Sequence, residues 1–220
     1  MKLLSIIASN SIRFFRFGAP SRGAVYGVTL ARAFEDRYGF VQGPRTVEQF
    51  DMSKGVAFFH GQFERSALID KCMLFTDGMI VETRIGTEEA DKFIDDAIAW
   101  VLKTMSDPPP EFNELGSAYV SKLEISMDAS IGKAVDRFND FGRSISETIS
   151  QYGNPTPPLE FATLALNCDI TKIAGRAPGP FLFERRAEKA YEENIYFSSA
   201  SLKTLDHLAY LERLEKIIQG

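Results

Sequence analysis

The segment 87–105 constrains the fold most, because its pattern is that of a long amphipathic helix that needs an apolar layer beside it. Thr87 can cap the first turn, which also carries Glu88 and Glu89, acidic residues that stabilise a helix N-terminus. Its apolar side chains recur with the spacing of one buried stripe. They are Ala90, Phe93, Ile94, Ala97, Ile98, Val101, Leu102 and Met105. We therefore expect a helix over 87–105 that packs on another layer of secondary structure.

The stretch just before this helix, residues 68–85, predicts a β-hairpin. A three-residue turn at Thr76-Asp77-Gly78, with Gly78 left-handed, separates apolar from polar side chains better than a two-residue Asp77-Gly78 turn does. That register collects apolar residues on one face: Ile69, Met73, Phe75, Met79, Val81 and Ile85. The other face receives Asp70, Cys72, Glu82 and Arg84, with Asp70 across from Arg84 as an ion pair.

The other elements of the first half also follow from periodicity. Residues 3–17 are predicted to be extended. A helix is expected over about 22–38, with Ser21 as its N-cap and Gly39 as its stop. A strand follows at 56–63, and its alternation places three residues on one face: Ala57, Phe59 and Phe63.

The second half begins after a proline-rich segment. The prolines at 108–110 end the preceding helix, because proline lacks an N–H donor, and the loop continues to about Gly116. Strands are predicted at about 119–127, 160–168, 180–186 and 194–199. A long helix carries the stripe Ile131, Ala134, Val135, Phe138, Phe141, Ile145 and Ile149. A final helix carries Leu205, Leu208, Leu211, Leu214 and Ile218.

Each half therefore has the same predicted order of strand, helix, three strands and helix. This order favours an α+β fold with an internal duplication, in which mostly antiparallel sheets have helices packed on one face. The predicted modules are residues 1–106 and 117–220, joined by a linker at 107–116, and they could also pack as one continuous domain.

Composition excludes several classes of protein. With 45% hydrophobic and 25% charged residues, the chain of 220 residues has ordinary globular usage. A net charge of -5 repels nucleic acid, and no apolar run is long enough to span a membrane, so neither is an expected partner. The N-terminal stretch MKLLSIIASNSIRFF is broken by polar residues and is interpreted as a strand, which favours a cytoplasmic protein.

Histidines and cysteines are too few and too scattered to indicate a metal site or a cofactor. The only histidines are His60 and His207, and the only cysteines are Cys72 and Cys168, with no CxxC or HExxH spacing. We expect the cysteines to be buried thiols and the histidines to be exposed or partly packed. The chain thus predicts neither metal nor cofactor.

Three hypotheses about function remain. The first is a non-enzymatic protein-binding or scaffolding module, either a subunit of a larger assembly or a self-associating protein, with Trp100 and Tyr210 as partner-binding residues. The second is an enzyme that uses His60 with Asp70, Glu82 and Arg84, of which the last three converge on one sheet face. The third is a small-molecule sensor with a pocket between the two halves. The remaining acidic residues of the 87–105 helix, Asp91 among them, are expected to be solvated.

Overall fold

A computed structural model describes residues 1–18, 27–64, 67–105, 109–128, 130–152 and 157–219. The strands in this part of the chain are β1 (Lys2–Phe17), β2 (Val56–Phe63), β3 (Ala67–Phe75), β4 (Gly78–Thr83), β5 (Phe112–Ser126), β6 (Thr163–Leu166), β7 (Phe181–Arg185) and β8 (Ile195–Ala200). The α-helices are α1 (Gly27–Arg37), α2 (Thr87–Met105), α3 (Asp136–Ser150) and α4 (Thr204–Gln219). Short 3-10 segments occur at Val47–Phe50, Ile131–Val135, Ile170–Lys172 and Tyr191–Glu193.

The fold is α+β, as predicted, with one eight-stranded antiparallel sheet. Its strand order is β2-β3-β4-β1-β5-β8-β7-β6. Within the described ranges, no helix has the length and apolar character needed to cross a membrane.

The chain divides into two compact units. The N-terminal unit comprises Ile6–Ser121 and Leu202–Thr204, and the C-terminal unit comprises Met1–Ser5, Lys122–Ser201 and Leu205–Gly220. β5 begins at Phe112, so part of the segment predicted as a linker is strand.

Several elements match their predicted positions closely. β1 and α2 agree with the predicted extended segment and helix, and the last four elements lie within the predicted ranges or differ from them by a few residues. α1 occupies most of the predicted 22–38 helix, but its proposed cap, Ser21, lies outside the described residues.

The predicted register of the β3–β4 hairpin is wrong. Phe75 pairs with Gly78, so the turn contains only Thr76 and Asp77, and Cys72 faces Val81. The register then shifts between Ile69 and Lys71, which leaves Asp70 as the extra residue of a β-bulge. The bulge reverses the alternation of side chains between the two faces of β3. Ile69 and Cys72 therefore both point into the core.

The predicted face of β2 is also wrong, for a related reason. His60 has a positive φ of 56°, and the chain changes face at that residue. Val56 and Phe58 are buried before it, whereas Phe63 is buried after it and Phe59 is only half-buried. Phe59 and Phe63 therefore do not share a face.

The core of the N-terminal unit is rich in aromatic rings. Phe34 of α1 is fully buried, and its ring centroid lies 4.8 Å from that of Tyr38 and 5.1 Å from that of Phe58. The Tyr38 hydroxyl donates to Asp96 at 2.6 Å, so the residue that follows α1 is hydrogen-bonded to α2. Burial, followed by this hydrogen bond, raises the pKa of Tyr38.

Two buried threonines in the N-terminal unit satisfy each other at the starts of α2 and α4. The Thr204 backbone N–H donates to the Thr87 hydroxyl at 2.8 Å, and the Thr87 N–H donates to the Thr204 hydroxyl at 3.1 Å. The two hydroxyls lie 3.3 Å apart, and Ser9 contacts the Thr204 hydroxyl at 3.1 Å. Each threonine thus caps the other's helix.

In the C-terminal unit, α3 buries a different face from the predicted one. Ser146 is buried and accepts a hydrogen bond from the Leu159 N–H at 2.7 Å, while Gly142 packs against the Leu159 carbonyl. Phe138 and Phe141, both in the predicted buried stripe, are more than half exposed. Small residues therefore determine how α3 packs.

Two further predictions in this unit are wrong. Cys168 is exposed, because the chain after β6 leaves the sheet and enters a surface segment. His207 is fully buried, where its Nε2 lies 2.9 Å from the Ser198 hydroxyl and its ring contacts Phe181. Cys72, by contrast, is buried as predicted, and burial raises the pKa of its thiol.

Candidate functional site: an apolar cavity

An apolar cavity of about 520 Å³ lies inside the N-terminal unit. β1 contributes Phe15 and Phe17, and the β3–β4 hairpin contributes Leu74, Phe75, Thr76 and Met79. The other lining residues come from α1, the segment around 50–56 and the second half of α2: Gly27, Val28, Leu30, Ala31, Phe34, Phe50, Met52, Val56, Ile98, Val101 and Met105. The volume is in the range of small-molecule binding sites.

The sequence of α1 explains part of this space. Gly27 and Ala31 lie one turn apart on the face that lines the cavity, and neither side chain is large enough to fill it. A Cβ added at Gly27 would meet no atom within 4 Å. Small residues on an otherwise apolar helix face are the sequence signal that could have indicated a cavity.

The cavity is partly open to solvent. Val28 is 44% exposed and Met52 is 38% exposed, and Thr76 lies in the exposed hairpin turn. The Thr76 N–H donates to the Met52 carbonyl at 3.3 Å, so the two lining segments are joined at this point. We call the rim formed by Val28, Met52 and Thr76 the mouth of the cavity.

The residues predicted for an enzyme lie along three neighbouring strands. His60 is exposed in β2, Asp70 occupies the bulge of β3, and Glu82 pairs with Lys71 in the β3–β4 ladder. Arg84 follows β4, with its Nε 3.6 Å from an Asp70 carboxylate oxygen, so the predicted ion pair is formed. None of the predicted four lines this cavity or the smaller one of about 200 Å³ beside Phe59. Their catalytic role stays a prediction.

The residues predicted to bind a partner differ in exposure. Trp100 is partly buried, with its ring centroid 6.0 Å from that of Phe34, and the Arg37 guanidinium lies 5.6 Å from the indole centroid. It therefore packs at the edge of the N-terminal core. Tyr210 on α4 is 52% exposed, and Ile217, two turns further along, is also exposed.

A charged cluster around Asp91 was not expected from the sequence. Its carboxylate lies 3.6 Å from the Arg13 guanidinium and 2.8 Å from the Lys203 ammonium, and the Tyr119 hydroxyl donates to it at 3.2 Å. The Asp91 side chain is only 14% exposed, although its position off the apolar stripe of α2 predicted solvation. The Asp91 hydrogen bond raises the pKa of Lys203. No local spacing could have linked four residues from such distant segments.

The described residues contain no group of three or more His, Cys, Asp or Glu side chains placed to hold a metal ion. No family model matches the chain, and no curated protein matches its sequence. The cavity is therefore the most specific starting point for a function.

Proposed function

We propose that the chain binds an apolar small molecule inside its N-terminal unit. The observation that carries this proposal is the cavity of about 520 Å³ with an almost wholly apolar lining. Protein interiors are packed at the density of organic crystals, with few voids larger than a water molecule. A space of this size is therefore unusual for a core and ordinary for a ligand site.

The energy of an empty cavity supports the same proposal. At about 24 cal/mol per Å³, a sealed void of this volume would cost about 12 kcal/mol, comparable with the whole net stability of a domain. The actual cost is smaller, because the mouth is open. A ligand that fills the space restores the contacts that the lining side chains lack.

Thermal unfolding with neutral apolar probes tests the proposal. N-phenyl-1-naphthylamine and medium-chain alcohols are suitable probes, since neither carries a charge. A ligand that binds only the folded form at one hundred times its Kd stabilises the protein by about 2.7 kcal/mol. For a chain of this size we expect the melting temperature to rise by about 5–11 °C.

A cavity-filling variant separates this site from non-specific binding. Ala31→Leu places three more carbon atoms in the cavity and should reduce probe binding by at least tenfold while leaving the unliganded protein folded. Thr29→Leu adds the same side chain at an exposed position of α1 that does not line the cavity, and should bind normally. If no neutral probe binds saturably, or if Ala31→Leu binds as the wild type does, the proposal is wrong.

A second candidate function, protein binding, is favoured by the exposed surface of α4. Tyr210 and Ile217 lie two turns apart on one side of the helix, and both are more than half exposed. Exposed tyrosines are frequent anchors of protein interfaces. Under this proposal the C-terminal unit holds a partner protein through these two residues.

A pull-down from the native host tests this second proposal. Tyr210→Ala should lose a partner that the wild type retains, whereas Glu212→Ala, on nearly the opposite side of α4, should keep it. Light scattering distinguishes self-association from binding of another protein. An identical set of partners for all three proteins would count against this surface.

We also propose that the chain arose by internal duplication. Its first half has the order β1-α1-β2-β3-β4-α2 and its second half the order β5-α3-β6-β7-β8-α4. The strand orders β2-β3-β4-β1 and β6-β7-β8-β5 correspond as well. Superposition of the two halves in an experimental structure should align equivalent strands, with α1 and α2 on the same face; failure to align would reject the duplication.

A further inference from the structure

The chemistry of the cavity lining restricts which ligands can enter. Of its seventeen described lining residues, none is charged, and Thr76 alone has a polar side chain. Burying a charged group without a partner is strongly unfavourable, so a ligand charge cannot lie inside this space. The buried part of the ligand must be a neutral apolar body.

The position of Thr76 indicates where a polar group of the ligand would lie. Thr76 is in the hairpin turn at the mouth, and its backbone N–H is already bound to the Met52 carbonyl. Its hydroxyl can both donate and accept a hydrogen bond. A ligand with its apolar body inside would therefore present its polar end to this hydroxyl.

The volume sets the size of the ligand. With the roughly 30 Å³ that one water molecule occupies as the scale for one heavy atom, 520 Å³ holds about 17 heavy atoms. Eight of the seventeen described lining residues are phenylalanine or methionine, including Phe15, Met79 and Met105. Methionine is flexible and adapts to irregular shapes, so the wall can close around an unbranched chain.

We propose, on the basis of the ligand-binding function above, that the cavity takes a neutral single-chain amphiphile of about 16 carbons, whose hydroxyl or carbonyl group is bound by the Thr76 hydroxyl at the mouth. A carboxylate or ammonium of the same chain length binds more weakly, since its charge loses part of its hydration beside the apolar mouth and none of the described lining residues neutralises it. The site thus selects for the absence of charge as well as for chain length.

Competition with the neutral dye N-phenyl-1-naphthylamine tests this inference. Three matched series are used as competitors, each below its aggregation concentration: n-alkanols, fatty acids and alkyltrimethylammonium salts of 8 to 16 carbons. Alkanol affinity should rise about fourfold for each added CH₂, because each buries a similar apolar area. At equal chain length, the acid and the ammonium salt should bind at least tenfold more weakly than the alkanol.

Substitutions at Thr76 test the assigned contact. Thr76→Val, which keeps the shape but removes the hydroxyl, should weaken alkanol binding by about two- to tenfold. Thr76→Ser should retain the wild-type affinity, because it keeps the hydroxyl.

The outcomes distinguish the two proposals. If neither N-phenyl-1-naphthylamine nor any amphiphile binds, the ligand-binding function itself fails. If the dye binds but charged and neutral chains compete equally, or Thr76→Val binds alkanols as the wild type does, only the inference about ligand class is refuted.

Discussion

Replacing Thr87 with valine would test the reciprocal capping of α2 and α4. Valine has the shape of threonine but no hydroxyl, so the backbone N–H of Thr204 would lose its acceptor. Thr87 is 0% exposed and Thr204 is 3% exposed, which leaves little opportunity for water to replace the lost partner. The variant should therefore carry a buried, unsatisfied N–H group.

The expected destabilisation follows from that one group. A buried donor without a partner costs about 1–3 kcal/mol, and loss of a threonine N-cap costs about 0.5–2 kcal/mol. We expect the free energy of unfolding to fall by about 2 kcal/mol, which corresponds to a melting temperature lower by about 4–8 °C. Thr204→Val should cost at least as much, because it also removes the contact with Ser9.

The double variant gives a sharper test than either single one. Both substitutions remove the same hydroxyl–hydroxyl contact of 3.3 Å, so the sum of the single effects counts it twice. Thr87→Val/Thr204→Val should therefore be more stable than that sum by about 0.5–1.5 kcal/mol.

Urea denaturation followed by tryptophan fluorescence suits this measurement. Trp100 is the only tryptophan in the sequence, and it packs against Phe34 in the N-terminal unit. Its fluorescence therefore reports the unit that contains both threonines. Thr87→Ser keeps the hydroxyl and loses only a methyl contact. Thr29→Val changes an exposed threonine and should stay within about 0.5 kcal/mol of the wild type.

Two results would refute the reasoning. One is a Thr87→Val protein as stable as Thr87→Ser. The other is a double variant whose destabilisation equals the sum of the single effects, which would show that the two helix starts are satisfied independently.

Two further predictions concern other contacts. Gly142→Ala should destabilise the C-terminal unit by about 1–3 kcal/mol in a circular-dichroism melt, because the new Cβ would meet the Leu159 carbonyl oxygen, a backbone atom that cannot rotate away. The control Gly27→Ala should be neutral or stabilising. A Gly142→Ala protein as stable as the wild type would disprove the close packing. Tyr38→Phe should cost about 1 kcal/mol at pH 7 by removing the hydrogen bond to Asp96. Because the folded-state pKa of Tyr38 is raised above 10.0, its contribution to the free energy of unfolding is complete below pH 10 and is lost as the pH rises further. The difference in unfolding free energy between wild type and Tyr38→Phe should therefore be smaller at pH 11 than at pH 7 in urea titrations. A difference that does not change with pH would contradict this.

The elements that the sequence predicts best are those that bury one regular face. α2 has an uninterrupted apolar stripe and an acidic first turn, and it runs from the predicted cap, Thr87, to the last residue of the predicted stripe, Met105. α3 shows the limit of the same reasoning, since its phenylalanines form a stripe but the small residues Gly142 and Ser146 permit the closer packing. An apolar stripe identifies a helix, but the face that can pack most closely against the neighbouring chain is the one that is buried.

The cavity could not be predicted from periodicity. Most of the described residues that line it belong to elements with an apolar face, and the pattern of such a face is the same whether its neighbour is a side chain or a ligand. Only the small size of Gly27 and Ala31 hinted at unfilled space. The volume depends on how five segments meet, and local spacing carries no information about that.

The two errors in strand register have one cause that the sequence does contain. In β2 the core residues Val56 and Phe58 are even-numbered, whereas the core residue Phe63 is odd-numbered. A regular strand cannot bury both sets, because its side chains alternate strictly. β3 shows the same conflict between Ile69 and Cys72, and β2 and β3 remain paired on both sides of the irregular position. A strand that buries both even-numbered and odd-numbered residues therefore needs an irregular residue between the two sets. In β2 this residue is the left-handed His60, and in β3 it is the bulge residue Asp70.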